Sequence, residues 1–158
     1  MAHVELSLSE STGPPRHRAG GAGPSGADGN PPAGSLARWS AAVSAADEPC
    51  LVLDVDGGIV AASAACHTLL GLGAPGSVVG RYLLDGVLHL VDFTAERRLL
   101  PDADIDAIPP LLALSSGRQT RGLMRVHDGA YDVTVDGIAV PLRDADRVVG
   151  SLTFFSAI

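Results

Sequence analysis

Residues 13–34 read GPPRHRAGGAGPSGADGNPPAG, and twelve of these 22 are Gly or Pro. None is a large aliphatic or aromatic residue. Such a stretch buries too little apolar surface to offset the entropy of ordering it, so a flexible linker is expected. Residues 1–34 are therefore expected to form a disordered tail, and 35–158 one domain. The roughly 120 residues of that domain suffice for a single hydrophobic core. Within the tail, Val4, Leu6 and Leu8 alternate with Glu5, Ser7 and Ser9, a pattern that suits a short edge strand. A frayed terminus is the simpler expectation there.

All eleven basic residues are Arg, and the chain has no Lys. A Walker-type phosphate loop or a Schiff-base enzyme in its usual form is thereby excluded, because each needs a lysine amine. The Ala/Gly/Arg-rich, Lys-free composition is of the kind found in high-GC bacteria. A net charge of −7 argues against a duplex nucleic-acid footprint, which needs clustered cations. Cys50 and Cys66 form no C-x-x-C pair, so zinc-ribbon and redox motifs are absent and two reduced thiols are expected. The N-terminus lacks a basic segment followed by an apolar one, and no run reaches about 18 apolar residues. A cytoplasmic protein without membrane contact is expected.

From Ser35 the periodicities become regular. Ser35 is expected to N-cap a helix running to about Ala46, with Leu36, Trp39 and Val43 on one face. That stripe must pack on something. Its choices are its own domain or a twin helix in a dimer, and Leu36, Trp39 and Val43 are the candidate dimer residues. Cys50–Val55 and Gly58–Ser63 read as a hairpin joined through Asp56-Gly57. Ala64–Leu70 reads as a helix closed by Gly71. A short helix is expected near Arg81–Gly86, and a longer one over Ile105–Ser115 with Pro109 and Pro110 in its first turns. Arg121–His127 and Ala130–Pro141 form a second hairpin through Asp128-Gly129, and Arg147–Phe155 follows after the turn Arg143–Asp146. Val133 and Val135 alternate with Thr134 and Asp136, while Ile138 and Val140 fall out of phase, which suggests a bulge at Gly137. The order predicts an α+β fold: a five-stranded antiparallel sheet with helices on one face.

On these residues the chain resembles the PAS domain over about 34–158. LVLDVDGGIVAASAACHTLLG (51–71) is similar to the opening hairpin and helix, and GRYLLDGV (80–87) to the segment that follows. ALSSGRQTRG (113–122) is similar to the main helix entering the third strand, and VPLRDADRVVGSLTFF (140–155) to the closing strands. The resemblance implies a sensor of small molecules, light or redox state, or a protein-interaction module, often dimeric. No kinase or helix-turn-helix sequence follows Phe155, so action in trans on a partner protein is expected. Flavin-binding light sensors of this family carry Asn-Cys-Arg-Phe-Leu-Gln; here Cys66 precedes His67-Thr68, which argues against a flavin photoadduct.

D-x-D-G at Asp54–Gly57 mimics the opening of haloacid-dehalogenase-like phosphatases, where the first Asp is the nucleophile. A hairpin turn explains it as well, and Gly58 stands where that family has Thr. Gly71–Gly76 matches G-x-G-x-x-G, but a helix precedes it and Pro75 interrupts it, so a loop is expected. No G-x-S-x-G elbow occurs. Arg97-Arg98 is expected on a solvated face. His89, in the apolar run VLHLV, is the one cofactor candidate: some PAS sensors hold haem through a histidine in their helical middle. A surface or half-buried histidine is the simpler expectation, and no cofactor is assignable. The function expected is a PAS-like sensory or protein-interaction module, a homodimer regulating a partner in signalling or transcription control, with a small-molecule ligand as one possible input. The alternatives are a ligand-free adaptor of roadblock-like or PAS-like α/β topology and, on the Asp54 motif, a small phosphatase-like enzyme; no catalytic residue is assigned.

Overall fold

The computed structural model describes residues 33–158. Residues 1–32 of the expected disordered tail, the Val4–Leu8 strand among them, lie outside the described residues. In chain order the elements are α1 (Ser35–Ser44), β1 (Cys50–Asp54), β2 (Ile59–Ala62), α2 (Ala64–Leu70), β3 (Leu90–Val91), α3 (Asp102–Ile105), α4 (Pro109–Ser116), β4 (Thr120–His127), β5 (Asp132–Asp144) and β6 (Arg147–Ala157). The strands form one antiparallel sheet in the order β2-β1-β6-β5-β4-β3. The expected sheet gains a sixth, two-residue strand, β3, whose length is too short to leave a period in the sequence.

β6 lies at the centre, with Leu51 opposite Thr153 on one side and Ala139 opposite Thr153 on the other. Leu51, Leu53, Ile59, Met124, Val126, Val135 and Phe155 line the inner face and pack with Cys66 and Leu70 of α2 and with Leu83, Val87 and Ile108 of the helical middle. Burying each such side chain contributes about 2 kcal/mol.

The outer face is covered at one end by α1, so the helices lie on both faces rather than one. Val43 packs with Val52, Ala61, Leu142 and Leu152, and Leu36 joins from the margin. Val140 packs against that second cluster from the outer face, and β5 needs no bulge at Gly137 to place it there. Ile138 and Val140 are on the outer face and Ala139 on the inner one, with Gly137 in regular register against Gly122 and Phe155. The alternation changes because both faces are apolar there, and the register shift falls instead between Leu142 and Arg143.

Three helix expectations shift. Ser35 is the first helical residue, not the cap; Gly34 occupies the cap position. Asp144, at the end of β5, accepts the Ser35 N–H at 2.8 Å and supplies the missing capping oxygen. The helix expected over Ile105–Ser115 is two, because Ile108, preceding Pro109, is extended at ψ 147° and breaks the helix. Arg81–Gly86 is a run of turns, pinned to β2 by the Ile59 N–H to Arg81 carbonyl bond at 2.8 Å.

Candidate functional site

Asp54 ends β1, and its Oδ1 accepts the backbone N–H groups of Asp56 at 3.0 Å and Gly58 at 2.8 Å. The carboxylate on which the phosphatase reading rests is thus committed to shaping the hairpin turn. The Gly71–Gly76 loop follows α2, as expected of a plain loop, with Gly71 left-handed at φ 63°. A Cβ there would lie 2.6 Å from Cβ of Asp128, so glycine lets this loop close against the β4–β5 turn.

That turn organises the main polar cluster. Asp128 accepts the amides of Tyr131 and Ala130, which hold its carboxyl below the usual range. Across the hairpin, His127 is paired with Asp132, and Nδ1 lies 2.9 Å from the Asp132 carboxylate. Arg97, in the left-handed region at φ 49°, brings its Nε to 3.2 Å from the other oxygen of Asp132. His89 is exposed beside them, and its carbonyl accepts the His127 N–H at 2.9 Å. His89 and His127 stand between two shallow cavities of about 300 and 350 Å³. The first is lined by the His127–Asp132 pair and the Arg97 guanidinium, whose charges offset one another, and its lining holds no hydroxyl or thiol nucleophile. Among the described residues no group of three His, Cys, Asp or Glu is arranged for a metal. Sequence reasoning singled out His89 and passed over His127 and Asp132. The signal was present: a tight Asp128-Gly129 turn makes the residues flanking it cross-strand neighbours.

Beneath the sheet, the apolar side chains described above fill most of the space between inner face and helical middle, leaving a cavity of about 210 Å³ lined by Leu90, Leu100, Ala107, Ile108, Pro109 and Met124. Two buried polar atoms there lack partners: Thr153 Oγ1 on β6, and Nε2 of His67, whose Nδ1 donates to the Gly73 carbonyl at 3.2 Å. Cys50 and Cys66 are buried free thiols, and desolvation pushes the Cys66 thiol up to about 12.

Of the dimer candidates, Val43 is buried and Leu36 half-buried against the molecule's own sheet, whereas Trp39 is 41% exposed. The outer face beyond α1 carries Leu123, Ile138 and Phe154, all exposed, beside an Arg121–Asp136 pair. Arg121 Nε donates to both Asp136 oxygens, at 2.9 and 3.1 Å, and holds that carboxyl below its ordinary range.

No protein-family sequence model matches the chain, and no curated protein matches it by sequence. Solved structures do match. The PAS domain of a protein from Colwellia psychrerythraea superposes with a TM-score of 0.55 at 19% identity, covering 78% of this chain and 96% of that one. VqmA of Vibrio cholerae, solved as a dimer without its target DNA, gives 0.52 at 17% identity over 78% of this chain and 51% of that one. The sensor region of a sensor histidine kinase gives 0.50 at 24% identity over 71% of this chain and 39% of that one. The described residues therefore have the PAS fold.

Proposed function

We propose that this chain is a signalling module of the PAS type that receives an input and regulates a partner protein, with control of transcription as its setting. The observation that carries the proposal is the fold, which it shares with a region named as the sensor of a histidine kinase and with VqmA, whose structure was solved to explain DNA binding by LuxR-type receptors. The chain's own charge of −7 favours a protein partner over direct contact with DNA. Two unpaired buried thiols fit a cytoplasmic setting, and among the described residues no helix is long and apolar enough to cross a membrane. The reading assigns no catalysis to the chain.

Within this reading the protein is a homodimer. Trp39 and the uncovered Leu123, Ile138 and Phe154 supply its apolar contact, since Leu36 and Val43 are already spent on the home sheet. An input that enters the inner space would meet the unpartnered Thr153 hydroxyl. The ligand-free adaptor is the second reading; the close packing of most of the inner face favours it, on PAS-like rather than roadblock-like topology.

The test is native mass spectrometry, with an absorbance spectrum, on protein purified gently from its own host. A retained small molecule supports the sensor, and a stoichiometric protein complex without one supports the adaptor. A Soret band lost in His89→Ala would revive haem. A bare chain with neither ligand nor protein companion, in every growth state sampled, overturns regulation of a partner.

A further inference from the structure

Opposite the sheet, α4 borders a groove that the residues discussed so far do not use. The β1–β2 turn abuts α4 closely: a Cβ on Gly57, whose φ is +84°, would sit 3.5 Å from Cδ2 of Leu111. With the turns at Tyr82–Leu84 these elements enclose a cavity of about 420 Å³, and a second of about 530 Å³ adjoins it, sharing Asp106, Leu111 and Ser115. Val55 is 48% exposed here, Tyr82 56%, Leu84 40% and Leu112 37%. Scattered exposed leucines are ordinary, but four large apolar side chains converging on a concavity are the mark of a binding surface.

The charged residues that line it have one sign. Asp56 and Asp106 line the groove, and no Arg or His does. The exposed Asp102 and Asp104 of α3 lie just before it in the chain. A low-dielectric trough with anionic walls attracts cations and repels acidic partners. The walls come from a helix and two turns, which offer side chains rather than a row of free strand amides. A helix, whose backbone groups are already paired, therefore suits it better than a strand-like peptide, which would find no free strand amides to pair with.

We propose that this groove docks an amphipathic helix of the partner protein, apolar on one face and flanked by Arg or Lys. The inference rests on the signalling reading above and gives its partner a chemistry. The experiment uses a synthetic fluorescent helix with one leucine face and arginine flanks, titrated into the full chain by anisotropy, with amide shifts mapping the contact. The same helix with glutamate flanks is the control. The arginine helix should bind, more weakly as salt rises, and shift Val55–Gly57, Tyr82–Leu84 and Leu111–Ser115. Leu84→Glu with Leu112→Glu should abolish binding. Asp56→Asn with Asp106→Asn should weaken it by about tenfold and flatten the salt dependence. All four side chains are exposed, so an unchanged thermal melt is expected to show that the variants fold. No binding, equal binding of both helices, or shifts centred on Leu123 and Phe154 would overturn the groove. If the Leu84→Glu, Leu112→Glu chain still retains its native companion in the host, the groove fails and the signalling reading stands. If the wild-type chain retains none while the arginine helix binds the groove, the reverse holds.

Discussion

The Ser63 hydroxyl accepts the backbone N–H groups of Cys50 and Cys66, each at 3.1 Å, and donates to the Glu48 carbonyl at 2.7 Å. It caps α2 and ties that helix to the first residue of β1 while fully buried. Ser63→Ala should therefore cost about 2 kcal/mol, read as a lower midpoint in urea unfolding, because it leaves buried amides unpaired as well as uncapping a helix. Cys66, three residues on, gives the molecule a pH signature. Burial raises its thiol from 9.0 to about 12, so the folded state favours the neutral form. The stability this contributes is whole below pH 9 and is lost as pH climbs from 9 towards 12, at up to roughly 1.4 kcal/mol per unit. Cys66→Ala should flatten that alkaline decline in urea midpoints measured across the range. The native wild-type thiol should resist a disulfide reagent at pH 8 that modifies it on unfolding; rapid native reaction would contradict its burial.

At the scale of the element, α1 shows how a distant residue completes a local structure. Its helix has a glycine at the cap, and the capping carboxylate arrives from Asp144, 109 residues away. Asp144→Ala should cost about 1 kcal/mol and loosen α1 first, seen as faster amide exchange at Leu36–Trp39 than in the rest of the chain. Gly150 sits under the same helix: a Cβ there would come within 2.7 Å of Leu36 Cδ1 and clash with the Leu53 carbonyl. Gly150→Ala should accordingly destabilise by about 2–3 kcal/mol, in chemical denaturation, since backbone leaves little room to adjust. Such links mark the limit of what the sequence discloses. α2 is found to the residue, because Ala64–Leu70 carries its own stop at Gly71, and both hairpins are found because their turns are local. The Asp144 cap, the two-residue β3 and the outer-face cluster that Val140 packs against are contacts between distant segments and leave no period to read. The same division holds at the polar cluster. His127 and Asp132 follow from a turn, whereas Arg97 reaches Asp132 only through the fold.

For the whole molecule, the proposed dimer is tested on its exposed residues. Trp39→Glu and Phe154→Glu should each shift sedimentation from dimer to monomer while leaving the thermal melt nearly unchanged, because both side chains already face solvent. An unaltered dimer in both would remove this face from consideration. β6 carries a consequence of another kind. It is the last strand made, yet it stands between β1 and β5 and joins the two halves of the sheet. Before it arrives, β1 and β2 are an isolated hairpin, marginal in water, with Leu51 and Leu53 uncovered on one face and Val52 on the other. Cys50 meets Phe154 across about a hundred residues of chain, so the closing step bears a large loop entropy. On the ribosome, the first half of this domain must wait, exposed, until β6 has been made, and its yield will depend on how long that wait lasts.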